Sequence, residues 1–134
     1  MSKKILIIDD SALMRRVISD IIKSGNEYEV AAIAKDGLEG YEYIRQNPTL
    51  YSAVILDINM PKMNGIEFLK IIKSDPNFKT IPVVILTTSN DENDKFICYS
   101  YGAAGYIIKP IDYNEFQEAI KTFNNYWNIN QFVS

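Results

Sequence analysis

The sequence predicts an α/β domain in which a parallel sheet lies between two layers of helices. Short runs rich in Ile and Val recur along the chain, and segments with helical spacing of apolar residues separate them. Each run is too continuous for a strand that is covered on one face only, so we expect both faces to be buried. Strands and helices that alternate at this pace are joined by right-handed crossovers, which make the strands parallel.

Five strands are predicted from the apolar runs. In chain order the runs are KILIID, YEVAAIA, AVILDI, PVVILTT and GYIIKP, at residues 4–9, 28–34, 53–58, 82–88 and 105–110. Each has the length of a short buried strand rather than of a helix. The sequence therefore favours a doubly wound sheet of five strands.

Five helices are predicted between and after these strands. The first begins after a cap at Ser11 and ends at Gly25. In between, Leu13, Val17 and Ile21 repeat every four residues, with Met14, Ile18 and Ile22 beside them. The later helices carry apolar residues at similar spacing: Leu38, Tyr41 and Ile44 before Pro48; Ile66, Leu69 and Ile72 after Gly65; Phe96 and Tyr99; and Phe116, Ile120 and Phe123.

Length and composition point to one compact domain. The chain has 134 residues, of which 47% are hydrophobic, enough for a core of that size. We expect a single domain over residues 1–134, with its core at about 4–126 and a tail at about 127–134. The net charge is −3 and the Lys and Arg residues are scattered, which argues against nucleic acid as a partner.

Two further observations restrict the location and the chemistry. The apolar run in MSKKILIIDD is too short for a signal peptide or a membrane span, so a cytoplasmic protein without a membrane partner is predicted. The chain has one cysteine and no histidine, which excludes an internal disulfide and most zinc sites. Cys98 is expected to be an inert thiol in or near the core.

Polar residues close several predicted strands. Asp9 and Asp10 end the first strand, Asp57 the third, Thr87 the fourth and Lys109 the fifth. In doubly wound sheets the ligand site lies beyond the carboxyl ends of the strands. Three carboxylates held close together repel one another, and Mg²⁺ (or Mn²⁺) relieves that repulsion. An aspartate beside such an ion can attack a phosphoryl group, while the ion and an ammonium neutralise the charge of the phosphoryl oxygens and a hydroxyl donates a hydrogen bond to them.

The motifs at these strand ends resemble those of the receiver domain of two-component response regulators. The motifs are DD after the first strand, LDINMPKMNG, LTTS and YIIKP, and the resemblance extends from about residue 4 to residue 126. It implies a flavodoxin-like sheet with strand order 2-1-3-4-5 and five helices on its two faces. The family would also make the protein a signalling domain that catalyses only its own phosphorylation and dephosphorylation.

The resemblance implies a role for each residue that matches the family motifs. Asp57 would be the phosphoacceptor, Lys109 the active-site lysine, Thr87 the switch hydroxyl and Tyr106 the switch aromatic. The peptide bond between Lys109 and Pro110 is expected to be cis, as is common in the family. The metal would be held by Asp9, Asp10, Asp57 and the backbone carbonyl of Asn59.

Partners are also implied by the family. The phosphoryl group would come from a histidine kinase or a histidine phosphotransfer protein, and the motifs resemble stand-alone receivers paired with phytochrome-like kinases. The face formed by helix four, strand five and helix five would bind a downstream protein or a second copy. On that face we expect Tyr106, Phe116, Phe123 and Trp127. No output domain is expected after the last helix, so the protein would act through another protein.

Three alternatives fit parts of the same pattern. A phosphatase of the haloacid-dehalogenase type would need a second acid two residues after Asp57, where the chain has Asn59. A flavodoxin-like electron carrier would need a phosphate-binding loop after the first strand, where the chain has acids instead. A receiver-like module that binds partners without phosphorylation stays open, although the acids, the hydroxyl and the lysine are all present.

Overall fold

A computed structural model of the chain describes residues 3–25, 27–60, 63–109 and 118. The strands are β1 (Lys3–Ile8), β2 (Tyr28–Ala34), β3 (Ala53–Leu56), β4 (Val83–Thr87) and β5 (Gly105–Ile108). The helices of these ranges are α1 (Ala12–Ser24), α2 (Gly37–Gln46), α3 (Gly65–Ser74) and α4 (Glu92–Ser100). All strand pairs are parallel, in the order β2-β1-β3-β4-β5, which confirms the predicted sheet. Of the predicted fifth helix, Glu118 is described and is helical, and the rest lies outside the described residues.

Both faces of the sheet are covered, as the continuous apolar runs predict. In β1 the side chains of Ile5 and Ile7 belong to one apolar layer, and those of Leu6 and Ile8 belong to the other. Successive side chains of a strand point to opposite faces, so a strand buried on both sides must be apolar throughout. The residues of α1 pack in the first layer, and those of α2, α3 and α4 pack in the second.

The first helix begins as predicted but turns a different face to the sheet at its start. The Ser11 hydroxyl accepts a hydrogen bond from the Met14 amide at 3.2 Å, and Gly25 caps the other end. Ile18 and Ile22 are buried, whereas Leu13 is 69% exposed. The four-residue spacing predicted the helix correctly. It did not show that Leu13, in the first turn, is exposed rather than packed in the core.

Two further helices begin at caps that the sequence reading did not single out. The Asp36 side chain accepts from the Glu39 amide at 2.8 Å at the start of α2. At the start of α3, Asn64 and Glu67 form a reciprocal capping box. Both caps occupy the same short pattern, DGLE and NGIE, in which an amide or carboxylate is followed three residues later by glutamate.

The start of α3 is pressed against the strand end that carries Asp57. A Cβ atom at Gly65 would overlap the carbonyl oxygen of Asp57, and the Gly65 amide donates to the Ile58 carbonyl at 3.2 Å. The loop before α3 is also tied to α2, because the Gly37 amide donates to the Met63 carbonyl at 3.1 Å. These contacts leave little freedom for the backbone on either side of Asp57.

The third, fourth and fifth predicted strands are each two residues longer than the observed ones, and the first is shifted by one residue. β1 ends at Ile8 rather than at Asp9, and β3 ends at Leu56, before the polar residues. The backbone beyond the strands is still attached to the sheet, since the Asp57 amide donates to the Ile8 carbonyl at 2.9 Å. The polar residues therefore follow directly after the last paired residues of the strands, and hydrogen bonds to the sheet still fix their backbone.

Two smaller observations complete the fold. Cys98 of α4 is fully buried and has no disulfide partner, and burial raises the pKa of its thiol to about 11. Among the described residues, no helix is long and apolar enough to cross a membrane.

Candidate functional site

Three carboxylates meet at the carboxyl edge of the sheet. Asp9 and Asp10 follow β1, and Asp57 follows β3, the neighbouring strand. Each offers an oxygen atom, and these oxygen atoms all lie within 4.8 Å of one another. Asp9 and Asp57 are buried, while Asp10 is exposed. We refer to these three residues as the acidic cluster.

Lys109 brings a positive charge into this cluster from the end of β5. Its ammonium donates to Asp9 Oδ2 at 2.6 Å and lies 3.5 Å from Asp57 Oδ2. Only 7% of the Lys109 side chain is exposed, so solvent screens these interactions weakly. The backbone fixes the lysine as well, because the Lys109 amide donates to the Thr87 carbonyl at 2.7 Å.

Every polar atom of Asp9 has a partner in the protein. Its amide donates to Ala34 and its Oδ1 accepts from the Ser11 amide, while Oδ2 accepts from Lys109. Its backbone carbonyl accepts from the Arg15 guanidinium at 2.7 Å. The sequence reading missed Arg15, although an arginine one turn into a helix after an acidic loop is well placed to reach back to that loop.

Burial dominates the electrostatics of Asp57. Loss of solvent around the carboxyl raises the pKa of Asp57 above its ordinary value. The positive charge of Lys109 opposes this rise, as does the Asn59 amide, which donates to Asp57 Oδ1 at 3.1 Å. The neighbouring charge of Asp9 raises the pKa of Asp57 further. The Asp57 carboxyl is thus shielded from solvent, and Lys109, the Asn59 amide and the Thr87 hydroxyl replace part of its hydration.

A hydroxyl stands beside the acidic cluster. Thr87 is the last residue of β4 and is fully buried. Its Oγ1 accepts from the Asn59 side-chain amide at 3.4 Å and from the Ser89 amide at 3.3 Å. The Asn59 residue therefore contacts both the Asp57 carboxylate, through its backbone, and the Thr87 hydroxyl, through its side chain.

Tyr106 of β5 is half-buried and contacts the loop that follows β4. Its hydroxyl donates to the Ser89 carbonyl at 2.9 Å, and burial raises the pKa of the phenol. The Ser89 hydroxyl in turn donates to Asp94 Oδ2 at 2.7 Å, in the first turn of α4. The hydrogen bonds of Thr87, Ser89, Asp94 and Tyr106 were not foreseen as one network, because all of them depend on the path of this loop.

The acidic cluster has the chemistry of a divalent-cation site. Hard oxygen donors from a few carboxylates suit Mg²⁺ or Mn²⁺, which keep several waters in proteins. Among the described residues, Lys109 is the one ammonium that contacts the cluster, through Asp9 and Asp57, so three carboxylates face a single positive charge. The exposure of Asp10 leaves room for water on that side.

Several predicted features fall outside the described residues. They are the cis bond to Pro110 and the partner-face residues Phe116, Phe123 and Trp127. Of the predicted partner face, the structure describes α4 and β5. Phe96 is 71% exposed and Ile108 is 39% exposed, so these two elements present apolar side chains to solvent.

The family profile of the response regulator receiver domain matches residues 5–121 of the chain. Chemotaxis protein CheY1 of Helicobacter pylori is 36% identical over 107 residues, which cover 80% of this chain and 85% of CheY1. Response regulator Rcp1 of Synechocystis is 30% identical over 130 residues, which cover 93% of this chain and 88% of Rcp1.

Solved structures of response regulators have the same fold as this chain. The crystal structure of the phosphorylated cyanobacterial phytochrome response regulator RcpA superposes with a TM-score of 0.87, at 34% identity, over 95% of this chain and 94% of RcpA. The Mn²⁺-bound form of Rcp1 superposes with a TM-score of 0.85, at 30% identity, over 93% of this chain and 94% of that one.

Proposed function

The chain belongs to the response regulator receiver domain family, and we propose that it receives a phosphoryl group on Asp57. The donor is a phosphohistidine of a sensor kinase or of a histidine phosphotransfer protein. Phosphorylation then changes the face with which the domain binds a downstream protein. Beyond this reaction on itself, the domain transforms no substrate.

One observation carries the proposal: a buried aspartate stands between an ammonium and two further acids. Lys109 lies 3.5 Å from Asp57, and the oxygen atoms of Asp9 and Asp10 lie within 4.8 Å of that of Asp57. Lys109 can neutralise a phosphoryl oxygen, and the acids can hold a metal, so the set supports both parts of a phosphoryl transfer. A structural ion pair would need only one of these acids.

The metal of this proposal is Mg²⁺ (or Mn²⁺), held by Asp10 and Asp57, by the Asn59 backbone carbonyl, and by Asp9 directly or through water. When bound, it would supply positive charge to the phosphoryl oxygens. The Mn²⁺ of the Rcp1 structure supports this assignment, because Rcp1 is a relative over nearly the whole chain.

The residues of the chain then divide the remaining work. An oxygen of Asp57 attacks phosphorus, the new P–O bond replaces the P–N bond of the phosphohistidine, and the departing imidazole nitrogen takes up a proton. Lys109 and the Thr87 hydroxyl stabilise the negative charge of the phosphoryl oxygens. Asn59, Thr88 and Ser89 flank the position from which water later hydrolyses the acyl phosphate.

The output of the proposed switch lies on α4 and β5. Thr87 moves toward the phosphoryl group and Tyr106 turns inward behind it, so that the exposed apolar surface changes shape. A downstream protein or a second copy of the chain binds there, together with Phe116, Phe123 and Trp127 of the predicted last helix. The phytochrome response regulators among the relatives make a phytochrome-type kinase the first donor to test.

The test is phosphorylation by acetyl phosphate or phosphoramidate in the presence of Mg²⁺, followed by intact mass measurement. Wild type should gain the mass of one phosphoryl group, and neither Asp57→Asn nor wild type in EDTA should gain it. Asp20→Asn, an exposed aspartate of α1, is the matched control and should react as wild type does. A chain that stays unmodified with both donors would be a phosphorylation-independent binding module instead.

A further inference from the structure

Ser89 connects three elements of the site through its three polar groups. Its amide donates to Thr87 Oγ1 at 3.3 Å, and its carbonyl accepts from the Tyr106 hydroxyl at 2.9 Å. Its hydroxyl donates to Asp94 Oδ2 at 2.7 Å and accepts a longer bond from the Asp91 amide at 3.4 Å. The bond to Asp94 is charge-assisted and short, which makes it the strongest of these.

From this arrangement we infer that the Ser89–Asp94 hydrogen bond is the link that makes the first turn of α4 follow Thr87. The inference rests on the proposed phosphorylation of Asp57. Ser89 and Asp94 are positioning residues, since neither contacts the acidic cluster. They act on the reaction's output rather than on the transfer itself.

The geometry explains why a link is needed at this point. α4 begins after Thr88, Asn90 and the cap residue Asp91, all of which are exposed. Cys98 is the residue of α4 that is buried, so the first turn has few packing contacts with the core. When Thr87 shifts, its bond to the Ser89 amide pulls the loop, and Asp94 transmits this movement to the helix that carries Phe96.

The bond can be removed from either end and can also be retained by conservative changes. Ser89→Ala and Asp94→Ala remove it, whereas Ser89→Thr keeps a hydroxyl and Asp94→Asn keeps a side-chain acceptor. Asp94→Ala also removes a negative charge from the first turn, where the helix dipole favours one. Glu92→Gln removes an exposed charge from the same turn and controls for that effect, and Thr80→Ala removes an exposed hydroxyl that lies outside the site, before β4.

The experiment measures amide hydrogen exchange of residues 92–100 before and after phosphorylation, with intact mass to confirm modification. In wild type, phosphorylation should change the exchange of α4. In Ser89→Ala and Asp94→Ala this change should fall by about 2-fold or more, as expected for one lost hydrogen bond, although both are phosphorylated. Ser89→Thr, Asp94→Asn and the two controls should behave as wild type.

A double variant, Ser89→Ala with Asp94→Ala, should lose no more than Ser89→Ala alone, because Ser89→Ala already removes the Ser89–Asp94 bond. Thermal unfolding of each variant verifies that it is folded. The inference is overturned if the alanine variants retain the full change, or if phosphorylated wild type shows no change in α4. Absence of the added mass in wild type would instead refute the proposed function, and the inference with it.

Discussion

Asp57 illustrates how a residue of the proposed site opposes stability. The unfolded chain gives its carboxyl the ordinary pKa of 3.8, and burial raises the pKa in the folded state. Below 3.8 the carboxyl is protonated in both states and costs nothing. As the pH rises, the unfolded state releases its proton first, so the free energy of unfolding falls until the folded state is ionised too. The penalty is complete once the carboxyl is ionised in both states.

Replacement of Asp57 by Asn should therefore stabilise the metal-free protein. We expect Asp57→Asn to raise the free energy of unfolding at neutral pH by about 1 kcal/mol, or the midpoint by about 4 °C, because the buried charge is gone. The gain should vanish below about pH 4, near the ordinary aspartate pKa. Thermal unfolding in EDTA against pH measures it, with Asp20→Asn unchanged as the control. An equal gain at acid pH would contradict the electrostatic cause.

Lys109 has the opposite effect on stability. Lys109→Met should lower the free energy of unfolding by about 3 kcal/mol at neutral pH, because it leaves Asp9 and Asp57 as buried charges without their ammonium. Mg²⁺ should restore part of the loss by binding the folded state. Urea unfolding with and without Mg²⁺ tests this, and Lys23→Met, an exposed lysine of α1, should have little effect.

Sequence reasoning located these residues because of a general property of parallel sheets. Asp9, Asp57, Thr87 and Lys109 each stand where an apolar run ends, and the carboxyl ends of parallel strands share one edge. Sequence reasoning did not identify Arg15 and Asp94, because each lies within a helix rather than at the end of a strand. Whether a helical side chain reaches back to a loop depends on the path of that loop, which spacing along the sequence does not encode.

Among the elements, α3 begins directly against the backbone of Asp57, at Gly65. Gly65→Ala should lower the free energy of unfolding by about 2 kcal/mol, although alanine is the better helix former, because its Cβ would overlap the Asp57 backbone. Gly105→Ala is the matched control, since its Cβ would lie 3.6 Å from a Val84 methyl, an ordinary contact. Urea unfolding compares the two, and equal effects would contradict the steric explanation.

The helices also show what apolar spacing can and cannot predict. Spacing marked α1 and α4 correctly, yet Leu13 is 69% exposed and Phe96 is 71% exposed. An apolar residue at every third or fourth position indicates a helix. Neighbouring apolar residues satisfy the same spacing, so the spacing alone does not identify the face that is buried. The observed direction of each helix over the sheet decides which residue is buried.

For the molecule as a whole, the exposed and buried phenylalanines should separate binding from stability. Phe96→Ala should change the free energy of unfolding by less than about 0.5 kcal/mol, whereas Phe68→Ala, in the core, should cost about 4 kcal/mol. If α4 belongs to the partner face, Phe96→Ala should also weaken association with a partner or with a second copy. Urea unfolding and sedimentation measure these effects, and a large loss of stability in Phe96→Ala would show that the side chain is buried.

The two covered faces followed from the continuous apolar runs, whereas the strand order followed from the resemblance to the receiver family. The last helix and the bond to Pro110 remain predictions. So does the single-domain organisation, which the match over residues 5–121 supports without testing it.

The burial of Cys98 has a practical consequence for observing this protein in solution. Cys98 is the one cysteine of the chain. At neutral pH its thiol is protonated, since its pKa is about 11, and its burial makes it inaccessible to reagents. A second cysteine introduced on the outer surface of α4 would therefore react alone with a maleimide dye or a nitroxide. The native thiol therefore stays unlabelled in fluorescence or spin-label spectroscopy and does not have to be replaced first.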